Sequence, residues 1–151
     1  MNVTNPLAVF MIAASLCACT TSTEQVMTVS LLATQRNAGQ IANVTLASRG
    51  TQTGFSFIIS GIPGGVSLPL RLYTFIYKGS CQQPGPIAFS MNDQVNTERA
   101  AVRGWTYSRS VPVALSELLS GEYSIVVRTA PSDGNVDIFC GEIPQGTRRN
   151  N

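Results

Sequence analysis

The side chains able to carry out chemistry in this chain are few, and the most versatile type is missing. The 151 residues contain no histidine. That removes Ser-His-Asp and Cys-His nucleophilic catalysis, imidazole-bound zinc and the commonest general base. The eight Asp and Glu residues are dispersed, and no spacing singles out the two facing carboxylates that glycoside hydrolysis needs. A Ser/Lys dyad would have to use Lys78, the only lysine, with Ser80 as the nearest serine. In a Gly-containing turn a solvated lysine is the simpler reading. Gly61-Ile62-Pro63-Gly64-Gly65 is Gly-rich. It lacks both the following helix and the Gly-Lys-Ser/Thr of a phosphate-binding loop. No catalytic residue is assigned.

The cysteines are Cys17, Cys19, Cys81 and Cys140. Residues Leu7 to Ala18, LAVFMIAASLCA, form an apolar run that is too short to span a bilayer as a helix and right for the core of a signal peptide. It ends in Leu16-Cys17-Ala18-Cys19, which resembles a bacterial lipobox. The resemblance implies a lipoprotein signal peptide over residues 1–18, lipidation of Cys19 and a polar tether over 19–25. With no Asp after the cysteine, it also implies an outer-membrane lipoprotein, periplasmic or surface-facing, held to the membrane by its lipid anchor. Residues 1–6 carry no Lys or Arg, a departure from an ordinary leader. A secretory signal cleaved near Ala18, giving a soluble secreted or periplasmic protein, is one alternative; a buried N-terminal strand is another. Once Cys17 has left with the leader and Cys19 is lipidated, Cys81 and Cys140 remain. An even pair in an exported domain reads as a disulfide. It would close a loop of roughly 60 residues and stabilise the fold by on the order of 4 kcal/mol on the chain-entropy account. Two buried thiols that never meet are the other reading. Two thiolates without imidazole leave a coordination sphere incomplete, so no metal and no cofactor is expected.

Strands joined by tight turns must position these residues. Charged residues are 12% of the chain and hydrophobic ones 44%, with 13 Gly and 8 Pro, a composition of short strands and turns. The length fits one domain plus a targeting segment. A net charge of +2 without a basic stripe excludes nucleic acid as a partner. Val26 to Thr34, Ile41 to Ala47 and Phe55 to Ser60 read as a meander of antiparallel strands. Gly61 to Gly65 must leave the sheet. From Leu68 the chain is extended again, with Leu70, Leu72, Thr74 and Ile76 on one face and Arg71, Tyr73, Phe75 and Tyr77 on the other. Cys81 to Pro86 reads as a loop whose prolines keep it out of regular pairing, followed by a short strand over Ile87 to Met91. Val102 to Val113 is a strand with Trp105 and Tyr107 on one face. Ala114 to Ser120 is a helical turn capped by Gly121. Tyr123 to Thr129 and Val136 to Ile143 are strands joined by a turn at Pro131 to Asn135. The β domain thus runs over 26–143, and 144–151 is expected to be a disordered tail.

Three anchors together resemble the copper/zinc superoxide dismutase family. Gly61-Ile62-Pro63-Gly64 is similar to its Gly-Leu-Pro-Gly turn. Leu72 to Cys81 is similar to the bacterial form's Gly-Phe-His-Ile-His, two residues, Gly-Ser-Cys. Phe139-Cys140-Gly141-Glu142-Ile143 is similar to its closing Ala-Cys-Gly-Val-Ile. The resemblance implies an all-β fold, a Greek-key β-barrel or sandwich of eight strands, with Cys81 linked to Cys140 as its one disulfide. In that register the two copper-binding histidines fall on Thr74 and Ile76, and the active-site Arg falls on Asp137. The long zinc loop that should follow Cys81 is missing or cut short. Thr and Ile cannot replace the neutral imidazoles that hold a redox copper. The resemblance therefore implies the scaffold without the enzyme. Leu115 to Thr129, with the Gly turn and strand that follow, is also similar to the end of CHRD-domain repeats, which are sandwich-like extracellular modules.

What remains for function is surface contact. Tyr73, Phe75 and Tyr77, with Trp105 and Tyr107, are the candidate binding surface, since rings on a rigid sheet provide anchor points; packing in the core is the plainer reading. Arg71 and Arg128, in apolar strands, are expected to pair with Asp137 or Glu142. The sequence points to a non-catalytic envelope protein that binds an unidentified envelope protein. The alternative is a small-ligand module for lipid or glycan, which a large apolar pocket under the Gly61 turn would favour. Residual metal or redox chemistry through non-His ligands is the least supported reading.

Overall fold

Alternation of side chains sets the strands. Along Ala42–Arg49 the buried positions are Ala42, Val44 and Leu46, and Asn43 between them is exposed. The computed structural model describes residues 25–92, 98–99 and 104–146. These contain β1 (Val26–Ala33), β2 (Ala42–Arg49), β3 (Gln52–Ile59), β4 (Leu72–Gly79) and β5 (Pro84–Ser90). The two-residue β6 (Glu98–Arg99), β7 (Trp105–Val111), a short helix α1 (Leu115–Leu118), β8 (Tyr123–Thr129) and β9 (Asp137–Ile143) follow. The expected leader, the expected tether apart from Gln25, the lipidation candidate Cys19 and residues 147–151 of the expected tail lie outside the described residues.

All pairings are antiparallel, and the strand order is β5-β4-β8-β9-β1-β2-β3-β7-β6. The sheet turns its corner within β1. Val26 to Leu31 pair with β2, whereas Leu32 and Ala33 pair with β9. The connections β3–β4 and β7–β8 cross between the two halves, so β8 returns beside β4 after the chain has visited β5 to β7. This is Greek-key connectivity. The fold is an all-β barrel or sandwich, and among the described residues it holds one disulfide, Cys81–Cys140, whose Cα atoms are 5.9 Å apart.

The two halves close over one core, built around Phe55, Phe57, Phe139, Leu72, Ile76 and Ile125. Each such side chain contributes about 1.5–3 kcal/mol by leaving water. Leu115 and Leu118 of α1 are buried in the same cluster. Gly104, at φ +137°, lies where a Cβ would meet the Ile59 carbonyl oxygen at 2.3 Å, so only glycine lets the chain enter β7 there.

Several boundaries differ from the sequence reading. Pro84 and Pro86 lie within β5, not before it. They are accommodated because β5 is an edge strand, where a missing N–H costs no ladder bond. The strand expected from Leu68 begins at Leu72, after a cis Leu68–Pro69 bond. Leu119, not Gly121, caps α1, its N–H bonding back to the Leu115 carbonyl while the Ser120 N–H bonds to the Glu117 carbonyl. Pro144 to Gly146 are ordered against the domain, with the Gly146 N–H donating to the Leu119 carbonyl at 2.8 Å.

Candidate functional site

The side chains singled out in the sequence separate to two sides of the sheet. Tyr73, Phe75 and Tyr77 stand half-buried on the outer face of β4, while Leu72, Thr74 and Ile76 are buried against the core. Thr74 and Ile76, the positions that the resemblance aligned with copper ligands, lie in the interior, both at 0% exposure. Tyr107 is buried too, which corrects its place in the candidate surface. Its ring stacks on Phe57 with centroids 4.5 Å apart, and its hydroxyl lies 3.3 Å from the Thr74 hydroxyl. Burial pushes the Tyr107 phenol well above its usual range, against smaller opposing effects of the Thr74 hydrogen bond and the Arg109 charge. Arg109 is itself buried. Its guanidinium sits 4.7 Å from the Tyr107 ring centroid and donates to the Ser108 and Leu72 carbonyls. Trp105 is half-buried and packs against the core cluster. The physical reason for the split is that β7 and β4 belong to opposite halves of the barrel, and the rings of β7 alternate inward.

The outer face of the other half assembles a different set. Strand register puts Phe75, Val126, Cys140 and Leu32 in one cross-strand row. A second row holds Ile87, Tyr77, Ser124 and Glu142. A third holds Tyr73, Arg128 and Asp137. Leu32 is 74% exposed and Ile87 48% exposed. Arg128 organises the third row. Its Nε lies 2.5 Å from the Asp137 carboxylate, its Nη2 donates to the Tyr77 hydroxyl at 3.2 Å, and its Cζ sits 5.2 Å from the Phe75 centroid. The Asp137 hydrogen bond raises the Arg128 pKa further, against partial desolvation. The Cys81 N–H donates to Glu142 Oε1 at 3.4 Å, so the segment after β4 is tied down beside its disulfide. Between the disulfide and the Arg128–Asp137 pair lies a cleft of about 180 Å³, floored by Val126, Cys81 and Cys140 and walled by Tyr77, Pro84 and Arg128.

A second cleft, of about 220 Å³, lies under the Gly61–Gly65 turn and is lined in part by Arg36, Pro63, Val66 and Asp133. Hydrogen bonding to Ser67 holds the Asp133 carboxyl below its usual range. The pocket under this turn is thus smaller and more polar than the apolar site a lipid would require. Among the described residues no group of three or more Cys, Asp, Glu or His could hold a metal, and no helix is long and apolar enough to cross a membrane.

Of the pairings expected for Arg71 and Arg128 with Asp137 or Glu142, the ion pair seen among the described residues is Arg128–Asp137. Leu32, Ile87 and Val126 join this face without belonging to the candidate surface expected from the sequence. The available signals were the adjacent Leu31-Leu32, which breaks alternation in β1, and the unbroken β-branched run of β8, which reads as a strand covered on both faces. Comparison of the chain with protein-family models, with curated proteins and with solved structures finds no match.

Proposed function

We propose that this chain is a non-catalytic, exported and lipid-anchored envelope protein, a dismutase-like scaffold without metal ligands, that acts by contact with a protein partner. The contact surface is the outer face of β5, β4, β8, β9 and the end of β1. One observation carries the reading: Leu32, the disulfide, Val126, Phe75, Tyr77 and Ile87 form a contiguous apolar set on a rigid antiparallel sheet. Its border is polar, with Arg128, Asp137 and Glu142, the pattern of an interaction patch. The order of the three family-like segments and the Cys81–Cys140 link support the scaffold. The lack of histidine argues against dismutase activity. The small-ligand alternative has clefts of about 180 and 220 Å³, below the ~300 Å³ at which small-molecule sites usually begin.

Site-specific photocrosslinkers at Leu32, at Ile87 and, as a control on the opposite outer face, at Ser56 test the contact in intact cells. The expected result is one protein captured from Leu32 and from Ile87, absent from Ser56 and lost with Leu32→Glu. Equal capture from Ser56 would refute it. Metabolic labelling with an alkynyl fatty acid, lost in Cys19→Ala, tests the anchor.

A further inference from the structure

Resting on that docking reading, we infer that the cleft beside the Cys81–Cys140 disulfide is the anchor pocket of the face, and that it takes one apolar side chain from an uncharged stretch of a protein partner. Its volume of about 180 Å³ suits a single leucine, methionine or phenylalanine side chain. Its lining includes Val126, 6% exposed, with the disulfide-bonded Cys81 and Cys140, Pro84 and Tyr77. These are stiff groups that lose little freedom when covered, the usual quality of a hot-spot pocket.

Charge selects the occupant. Among the described residues that line the cleft Arg128 is the one cation, and it donates within the face to Asp137 and to Tyr77. Asp137 in turn neutralises it. The pair is already neutral, so a charged group gains little Coulombic attraction there and still gives up its own hydration, whereas a neutral segment meets an apolar lining at no such cost. Area argues against a second copy of this chain. The eleven positions of the three rows, about 4.8 Å apart across the strands and about 6.7 Å apart along them, make a face of roughly 350 Å², less than half of the ~800 Å² per partner that two folded surfaces bury in a stable interface, so a segment suits the face better than a second folded copy. Strand addition at the neighbouring edge is also disfavoured, because β5 carries Pro84 and Pro86, which have no N–H to offer. Insertion of a side chain from above is the mode that remains, with Leu32 as the exposed contact beside the pocket.

The test uses the full chain with Cys19→Ala, isotope-labelled at valine methyl groups, and titrates N-acetyl-leucinamide, N-acetyl-phenylalaninamide, N-acetyl-alaninamide and N-acetyl-aspartate. The expected result is a saturable shift of the Val126 methyls, with Val44 in the core unmoved. The leucine and phenylalanine probes should bind at least roughly tenfold more tightly than the alanine probe, and the aspartate probe should not bind. Val126→Phe, labelled instead at the backbone amides, should fill the cleft and abolish the probe-induced shifts that the Cys81 and Cys140 amides show in the parent protein. Should that variant not fold, Tyr77→Ala should weaken probe binding and Tyr77→Phe should retain it. No saturable Val126 shift, or binding of the aspartate probe as tight as the leucine probe, would overturn the inference. Crosslinks at Leu32 and Ile87 in the absence of probe binding would overturn the anchor pocket while the docking face stands. Probe binding on a chain that yields no Leu32 crosslink would leave a small-molecule cleft, and would overturn both readings.

Discussion

Replacing Tyr107 by Phe separates a buried structural ring from a binding one. Tyr107 is 5% exposed and Thr74 0% exposed, and their hydroxyls meet at 3.3 Å across the two halves of the barrel. Removing the phenol oxygen leaves the Thr74 hydroxyl desolvated without this partner. That penalty is about 1–3 kcal/mol, offset in part because the Phe ring keeps its stack on Phe57 and buries no hydroxyl of its own. The expected net loss is about 1–2 kcal/mol, or a fall of about 3–8 °C in Tm for a domain of this size. Thr74→Val alone should cost a similar amount, and the double variant should cost less than the sum by at least ~0.5 kcal/mol. The assay is urea unfolding of the four proteins of the cycle. A second readout comes from alkali. Burial favours the neutral phenol, so the folded pKa stands above the ordinary 10.0. The contribution is present in full below pH 10.0 and is lost as the pH rises from there towards the folded pKa, at about 1.4 kcal/mol per pH unit. Tyr107→Phe should abolish that component. Additive single effects, or a wild-type alkaline slope unchanged in Tyr107→Phe, would refute the buried pair. Because the ring faces inward, crosslinking from Leu32 should be unaffected.

Other substitutions test the outer face. Reduction, or Cys81→Ser with Cys140→Ser, removes a crosslink between positions 59 apart. It should cost about 4 kcal/mol, read as a lower denaturant midpoint. Ser124 is fully buried, and its Oγ has no hydrogen-bond partner among the described residues. Ser124→Ala should therefore stabilise the fold by about 1 kcal/mol in the same assay, whereas a loss of stability would mean that the hydroxyl is satisfied. Asp137→Asn breaks an ion pair whose side chains are 20% and 47% exposed. Screening limits its cost to about 1 kcal/mol or less, and the difference from wild type should shrink further in about 1 M salt.

Much of the β-structure could be read locally. The inward set Ala42, Val44 and Leu46, and the inward set Leu72, Thr74 and Ile76, follow from a period of two. Charges stranded in apolar runs narrow the partners of Arg128 to Asp137 or Glu142, of which Asp137 is the one bound, and the cysteine count points to Cys81–Cys140 once Cys17 and Cys19 are assigned to an expected leader and anchor. Pro84 and Pro86 misled the reading of β5, because a proline is hostile to a central strand and harmless at an edge, and edge position is not a local property. Gly121 resembled a helix cap by type, yet α1 ends earlier, where Leu119 bonds back to its own turn.

The candidate site shows the same division more sharply. The amino-acid sequence by itself determined which chemistry is absent, since no folding can supply an imidazole to a chain without histidine. It also determined which side chains share a face within each strand, because that depends only on backbone pleating. Tertiary structure alone decided that Tyr107 joins the core while Tyr77 joins an outer face with Leu32, Val126 and the disulfide. The reason is that exposure is set by which strand lies opposite. β1 changes partner between Leu31 and Leu32, and β8 comes to lie between β4 and β9 only through connections that cross the barrel.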